Sequence, residues 1–169
     1  SKTRPADDVR ALSTLGHRNF AENKIQEAVN KINQLTDITD LCWHFIGSIQ
    51  SNKCRDIAHH FDWVHSVDRI KIARRLSEMR PLDRAPLNVL LQVNLQGENT
   101  KSGVDPANLE NLAREVAAFP NIQLRGLMAI PEPEQAFDVQ RRVFGSLRAL
   151  QSLLNKKSFD LDVLSMGMT

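Results

Sequence analysis

Short apolar runs alternate with amphipathic helical stretches along the whole chain, and no other feature of the sequence restricts its fold as much. The runs are His17 to Ala21, Leu41 to Gly47, Trp63 to Asp68, Leu87 to Asn94, Leu124 to Ile130 and Phe159 to Ser165. Between them, apolar residues recur at helical spacing: Ile25, Ala28, Val29, Ile32 and Leu35 in the stretch from Lys24 to Leu35, then Ile70, Ala73, Leu76 and Met79. A shorter helix runs through Ile57, Ala58 and Phe61, and another opens at Pro106 and ends near Phe119 and Pro120. A long one runs from about Gln135 to Leu154, with Phe137, Val143, Phe144, Leu147, Leu150 and Leu154 as its inner stripe. An opening helix from Asp7 has acids in its first turn and Gly16 at its end.

Six strands, each but the last followed by a helix, require parallel pairing through right-handed crossovers. A doubly wound sheet and a β/α barrel both satisfy the pattern. The first favours a glycine-rich phosphate loop, and neither GxGxxG nor GxxxxGK occurs. The expected class is therefore an α/β fold, a (β/α)8 TIM barrel, incomplete in this chain. The run from Leu41 to Gly47 suits a strand buried on both faces, and Asp68 is placed to cap the helix after it.

The 169 residues are 41% hydrophobic, enough for one domain with a substantial core. With 22 basic and 20 acidic residues the charge is nearly balanced, which argues against a dedicated nucleic-acid surface. No apolar run is long enough to span a membrane, and the start has no signal-peptide pattern. Cys42 and Cys54 lack partners for a zinc or disulfide framework and read as inert core thiols. No metal signature is present, and a reducing, cytoplasmic setting is expected. The chain opens without methionine and stops directly after an apolar run, so it reads as a partial chain.

Barrels carry their chemistry where strands end. Those ends hold Lys2, Asn23, Gly47 to Asn52, Asn94, Lys101-Ser102-Gly103, Met128 and Ser165 to Thr169. A lysine with some neutral amine forms imines with aldehydes. Glycines and hydroxyls beside successive backbone N–H groups can cradle a phosphate. Plainer readings stand beside these: Lys2 as a solvated end, Asn23 as a helix cap, His44 as a hydrogen-bonded interior histidine, and Lys101-Ser102 as a solvated loop. His59 and His60 read as surface or packing residues, and Met128, Met166 and Met168 as gap-filling side chains.

Ser1-Lys2-Thr3-Arg4-Pro5, Asn19-Phe20-Ala21-Glu22-Asn23, Trp43-His44-Phe45-Ile46-Gly47-Ser48-Ile49-Gln50-Ser51-Asn52-Lys53, Lys101-Ser102-Gly103, Arg125 to Ile130 and Leu164-Ser165-Met166-Gly167-Met168 carry a resemblance. In order and spacing they resemble the pyridoxal phosphate homeostasis protein family. The resemblance implies a single barrel over residues 1–169 like the N-terminal domain of alanine racemase, binding pyridoxal 5'-phosphate (PLP) as a Schiff base. Lys2 matches the Schiff-base lysine and Asn23 a residue lining the cofactor. Ser165 matches the phosphate end, with Met168 and Thr169 continuing that wall. His44, Gly47 and Met128 correspond to positions around the ring.

The family usually has glycine where this chain has Ala21, which is tolerable only with negative φ. The family also has a helix and first strand before the lysine and a final strand and helix after the serine motif, so the barrel is expected to lack both. The implied role is intracellular PLP homeostasis by a regulatory or carrier protein with little or no catalysis and no catalytic residue of its own. It would act as a monomer with PLP and apo PLP-dependent enzymes as partners. Two alternatives remain open: a PLP-dependent racemase or decarboxylase, and a barrel without cofactor. Racemisation on this fold uses a tyrosine from a second domain as its second base, and this sequence contains no tyrosine.

Overall fold

The computed structural model describes residues 1–96, 102–131 and 136–167. Six parallel strands pair strictly in chain order: β1 (Asn19–Glu22), β2 (Cys42–Phe45), β3 (Trp63–Val67), β4 (Leu87–Gln92), β5 (Ile122–Ala129) and β6 (Val163–Met166). Helices α1 (Ala6–Thr14), α2 (Ile25–Asn33), α3 (Cys54–His60), α4 (Ile70–Met79), α5 (Leu109–Ala117) and α6 (Phe137–Asn155) precede, connect and flank them. The sheet curls strongly. His65 on β3 and Ser165 on β6 are hydrogen-bonded at 2.8 Å. In a flat sheet, strands three apart would be separated by roughly 14 Å. The architecture is a curled, incomplete β/α barrel: strand order β1 to β6 without reversal and the contact of β3 with β6 exclude the doubly wound sheet that the repeat alone left open.

Alternation along the strands sorts two faces. Phe20, Trp43, Phe45, Val64, Val89, Leu91, Leu124 and Leu127 point to the helices and join the main apolar cluster with Ala28, Ile57, Leu76, Val116 and Leu147. Asn19, Ala21, Cys42, His44, Trp63, His65 and Asn88 take the other, concave face and are half-buried or exposed. This corrects the expectation for Leu41 to Gly47. That strand buries only its helix-facing residues, because the concave face carries polar and aromatic side chains rather than a second apolar layer.

Local chemistry sets the ends of elements. Gly16, at φ +88°, closes α1, with the N–H groups of Gly16 and His17 returning to the carbonyls of Ser13 and Leu12. Asp68 does not cap α4: Arg69 occupies the cap position without a side-chain bond and its guanidinium holds the Asp68 carboxylate at 2.7 Å. The inner stripe of α6 is shorter than expected. Leu147 and Leu154 are buried, whereas Phe137, in the first turn, is 77% exposed.

Candidate functional site

The first site residue is set by a tight turn beside β1. The Ser1 nitrogen donates to the Ala21 carbonyl at 2.7 Å, and the Arg4 N–H closes a turn onto the Ser1 carbonyl at 3.0 Å. Thr3, inside that turn, sits at φ +65°, where a β-branched residue is strained. The turn projects Lys2 over the carboxyl ends of the strands. Its ammonium makes no hydrogen bond or ion pair among the described residues.

Beneath this turn lies a buried ion pair. Lys31 of α2 reaches Glu22 at 2.5 Å and the Ser1 carbonyl at 2.9 Å, while the Ser1 hydroxyl donates to the same Glu22 oxygen at 2.6 Å. The second oxygen, Glu22 Oε2, has no hydrogen-bond partner among the described residues. This unit ties α2, β1 and the Lys2 turn together.

At the ends of β1 and β2 the two chains nearly touch. A Cβ on Gly47 would stand 2.1 Å from the Asn23 carbonyl oxygen, so only glycine fits. The Gly47 carbonyl is held in turn by the buried Ser66 hydroxyl at 2.5 Å. Helix α2 begins at Ile25 with Lys24 at its cap position and no side-chain cap bond, so Asn23 does not serve as the cap. Ala21 lies within β1 and is not among the residues with positive φ, so its methyl group is accommodated.

Lys2, Asn23, Gly47, Ser48, Met128 and Ser165 line one cavity of about 320 Å³ at the carboxyl ends of the strands, with Ile46, Ile130 and Gly167 among its walls. Met128 and Ser165 are register partners across β5 and β6. Lys2, Asn23, Gly47, Met128 and Ser165, five of the residues that the resemblance matches to the cofactor site, thus meet in one place. His44 does not line this cavity; it lies deeper on the concave face. Met168, Thr169 and Lys101 fall outside the described residues.

His44 connects to the cavity through a residue the sequence reading passed over. Its Nδ1 lies 3.0 Å from His65 Nε2, and His65 Nδ1 lies 2.8 Å from Ser165 Oγ. The other His44 nitrogen meets Asn19 Oδ1 at 3.1 Å. Burial pushes His65 down from 6.5 to about 4, with a further push from His44. Burial also lowers His44, partly opposed by Asp62. Both rings are therefore neutral at pH 7. Below them Trp63 stacks on His44, at 5.5 Å and 9° between planes, and Arg125 lies 5.3 Å from the Trp63 ring centre. The Cys42 thiol is raised to about 11, chiefly by burial, and Cys54 is raised for the same reason; neither is a ready nucleophile.

The donor set suits PLP. It offers an unpaired amine, hydroxyls on Ser48 and Ser165, small residues that expose backbone, and apolar walls from Ile46, Met128 and Ile130. The volume falls in the usual range of small-molecule sites, roughly 300–1,000 Å³. Among the described residues no group of His, Cys, Asp and Glu could hold a metal ion, and no helix is long and apolar enough to cross a membrane.

A curled β/α sheet with a lysine, glycines and a serine at its strand ends defines a class, and residues 5–169 match the alanine racemase N-terminal domain family. Alanine racemase from Clostridium difficile superposes with a TM-score of 0.78 at 13% identity, covering 96% of this chain and 44% of that one, which shows the shared fold. PipY from Synechococcus elongatus, solved with PLP bound, gives a TM-score of 0.92 at 36% identity, covering 100% of this chain and 79% of its own. The pyridoxal phosphate homeostasis protein of Pseudomonas aeruginosa is 56% identical over 169 residues, all of this chain and 72% of that protein. Its counterpart in Escherichia coli is 46% identical over 171 residues, all of this chain and 73% of that protein. The chain belongs to the pyridoxal phosphate homeostasis protein family.

Proposed function

We propose that this protein binds PLP in the cavity under Lys2 and serves PLP homeostasis as a holder of the cofactor, with little or no catalysis. The observation that carries the reading is the convergence of Lys2, Asn23, Gly47, Met128 and Ser165 on one cavity. The name shared by relatives at 46–56% identity and the PLP in the PipY structure support it.

When bound, PLP supplies an aldehyde that a neutral amine attacks and a ring that withdraws electrons. Lys2 is the amine that would hold the aldehyde, set over the cavity by its turn and without a hydrogen bond or ion pair among the described residues. The Ser165 hydroxyl, followed in the chain by Met168 and Thr169, takes the phosphate end. Asn23, Gly47 and Met128 flank the ring, and His44 supports Ser165 from below through His65. Lys2 is the only amine or acid among the described lining residues, which favours holding the cofactor over moving protons at two faces.

The proposal extends to a single barrel domain over residues 1–169, a monomer, a cytoplasmic setting and delivery to apo PLP-dependent enzymes. Two free cysteines accord with a reducing compartment. The test is borohydride reduction of the protein with PLP, followed by peptide mass analysis. The reduced adduct is expected on the Lys2 peptide and absent from a Lys2→Ala variant. A folded protein that takes the label elsewhere, or nowhere, overturns the assignment of Lys2.

A further inference from the structure

Four side chains from four strands form one unbroken row across the concave face. Asn19 Oδ1 meets His44 Nε2 at 3.1 Å, His44 Nδ1 meets His65 Nε2 at 3.0 Å, and His65 Nδ1 meets Ser165 Oγ at 2.8 Å. Asn19, at one end, is exposed; Ser165, at the other, lines the cavity with Lys2. A neutral imidazole has one donor nitrogen and one acceptor nitrogen. Fixing the direction of any one link therefore fixes all the others.

With Asn19 Oδ1 as acceptor, His44 carries its proton on Nε2 and accepts at Nδ1. His65 then donates from Nε2 and accepts at Nδ1, so Ser165 gives its proton inward. In that setting Ser165 presents only lone pairs to the cavity, which suits a ligand donor and repels an oxyanion. An outward setting needs a donor to His44 Nε2 at the far end, and two are in place. The Asn19 amide offers N–H when turned end for end, and the Cys42 Sγ lies 3.5 Å from the same nitrogen. Burial keeps that thiol protonated, with its pKa raised to about 11.

We propose that the Asn19–His44–His65–Ser165 row is a reversible hydrogen-bond switch, turned from inward to outward by a phosphate group in the cavity. The proposal rests on the reading of Ser165 as a phosphate contact. On switching, one proton enters at His65 Nδ1 by way of Ser165 from the cavity, and the His65 Nε2 proton passes to His44 Nδ1. The His44 Nε2 proton leaves to water past Asn19. Both rings end neutral with their tautomers exchanged, and Ser165 keeps a hydroxyl whose proton now faces the ligand. His44 and His65 are positioning residues: they touch no ligand and act through Ser165.

The test is nitrogen-15 NMR of the histidine rings in the protein, recorded alone, with inorganic phosphate, with pyridoxal and with PLP. Protons on Nε2 of both rings are expected without ligand or with pyridoxal, and on Nδ1 with PLP. A His65→Leu variant is expected to bind PLP about tenfold less tightly relative to pyridoxal. If borohydride fixes PLP on Lys2 and the rings do not exchange tautomers, the switch is wrong and the cofactor reading stands. If Lys2 takes no label but inorganic phosphate exchanges the tautomers, the switch stands as a phosphate device and the Lys2 reading fails. Rings that respond to neither phosphate nor PLP overturn the switch in every case.

Discussion

Gly47 and Asn23 approach so closely that a methyl group on residue 47 would overlap the Asn23 carbonyl oxygen, at 2.1 Å. The contact joins the ends of β1 and β2 directly under the Lys2 turn. Because backbone rather than a flexible side chain blocks the space, neither partner yields cheaply. A Gly47→Ala variant is expected to lose about 1–3 kcal/mol and to hold PLP more weakly. Gly167 lines the same cavity, but a Cβ there meets nothing within 4 Å. Gly167→Ala should stay within about 0.5 kcal/mol of the parent. Denaturant unfolding of both variants checks the contrast, and equal losses would contradict it.

The Glu22–Lys31 pair is buried on both sides, at 0% and 7% exposure. Removing one partner leaves a charge in the core with little to replace water. Lys31→Met is expected to cost about 3–5 kcal/mol, and a Glu22→Leu/Lys31→Met double variant to recover most of that loss. Thermal unfolding of the three proteins decides between a pair that stabilises through charge and one that merely fills space. A double variant as unstable as the single one would show that the pair has a positive role of its own.

Much of this site can be read in the sequence because it lies where strands end, and strand ends are marked locally. Gly47, Met128 and Ser165 each lie in or at the end of an apolar run, so their convergence follows once the strands are parallel and neighbouring, whereas Lys2 has no run before it and is marked by the Ser1-Lys2-Thr3-Arg4-Pro5 resemblance alone. His65 was not legible in that way. Its signal is faint: Cys42 and His44, then Trp63 and His65, repeat a non-aliphatic residue at every second position on neighbouring strands, which marks the concave face. That His65 meets Ser165 depends on the curl of the sheet over three strands, and no local segment encodes it. Asp68 shows the opposite failure. Its composition and position suit a cap, but the adjacent Arg69 takes its carboxylate first.

His65 makes the fold sensitive to acid. Its folded-state pKa is lowered from 6.5 to about 4, by burial first and His44 second. Above pH 6.5 neither the folded nor the unfolded chain protonates this ring, so it exacts no penalty. Between pH 6.5 and about 4 the unfolded chain binds the proton and the folded one does not, so stability falls as pH falls. The loss amounts to on the order of 3 kcal/mol by pH 4 and levels off below it. His44, lowered in the same direction, adds to it. Urea midpoints measured from pH 7.5 to pH 4 in the parent and a His65→Leu variant test this: the variant's curve should be flatter in that window. Parallel curves would assign the acid sensitivity to other groups.

Thr3 holds the left-handed backbone beside Lys2 at φ +65°, a conformation that costs a β-branched residue about 1–3 kcal/mol. The turn from Ser1 to Arg4 has the form in which glycine is usual at this third position. A Thr3→Gly variant relieves the strain but frees the unfolded chain, which offsets about 0.5–1 kcal/mol. A net gain of about 1 kcal/mol in stability is expected. The same change lets the turn open and move Lys2 away from the cavity, so the rate at which borohydride-fixable PLP accumulates on Lys2 should fall. A stability gain with a slower reaction would mean that the strain serves to position the amine. A variant that is stabilised and reacts at the parental rate would mean that the Glu22, Ser1 and Lys31 contacts position Lys2 without help from the strained turn.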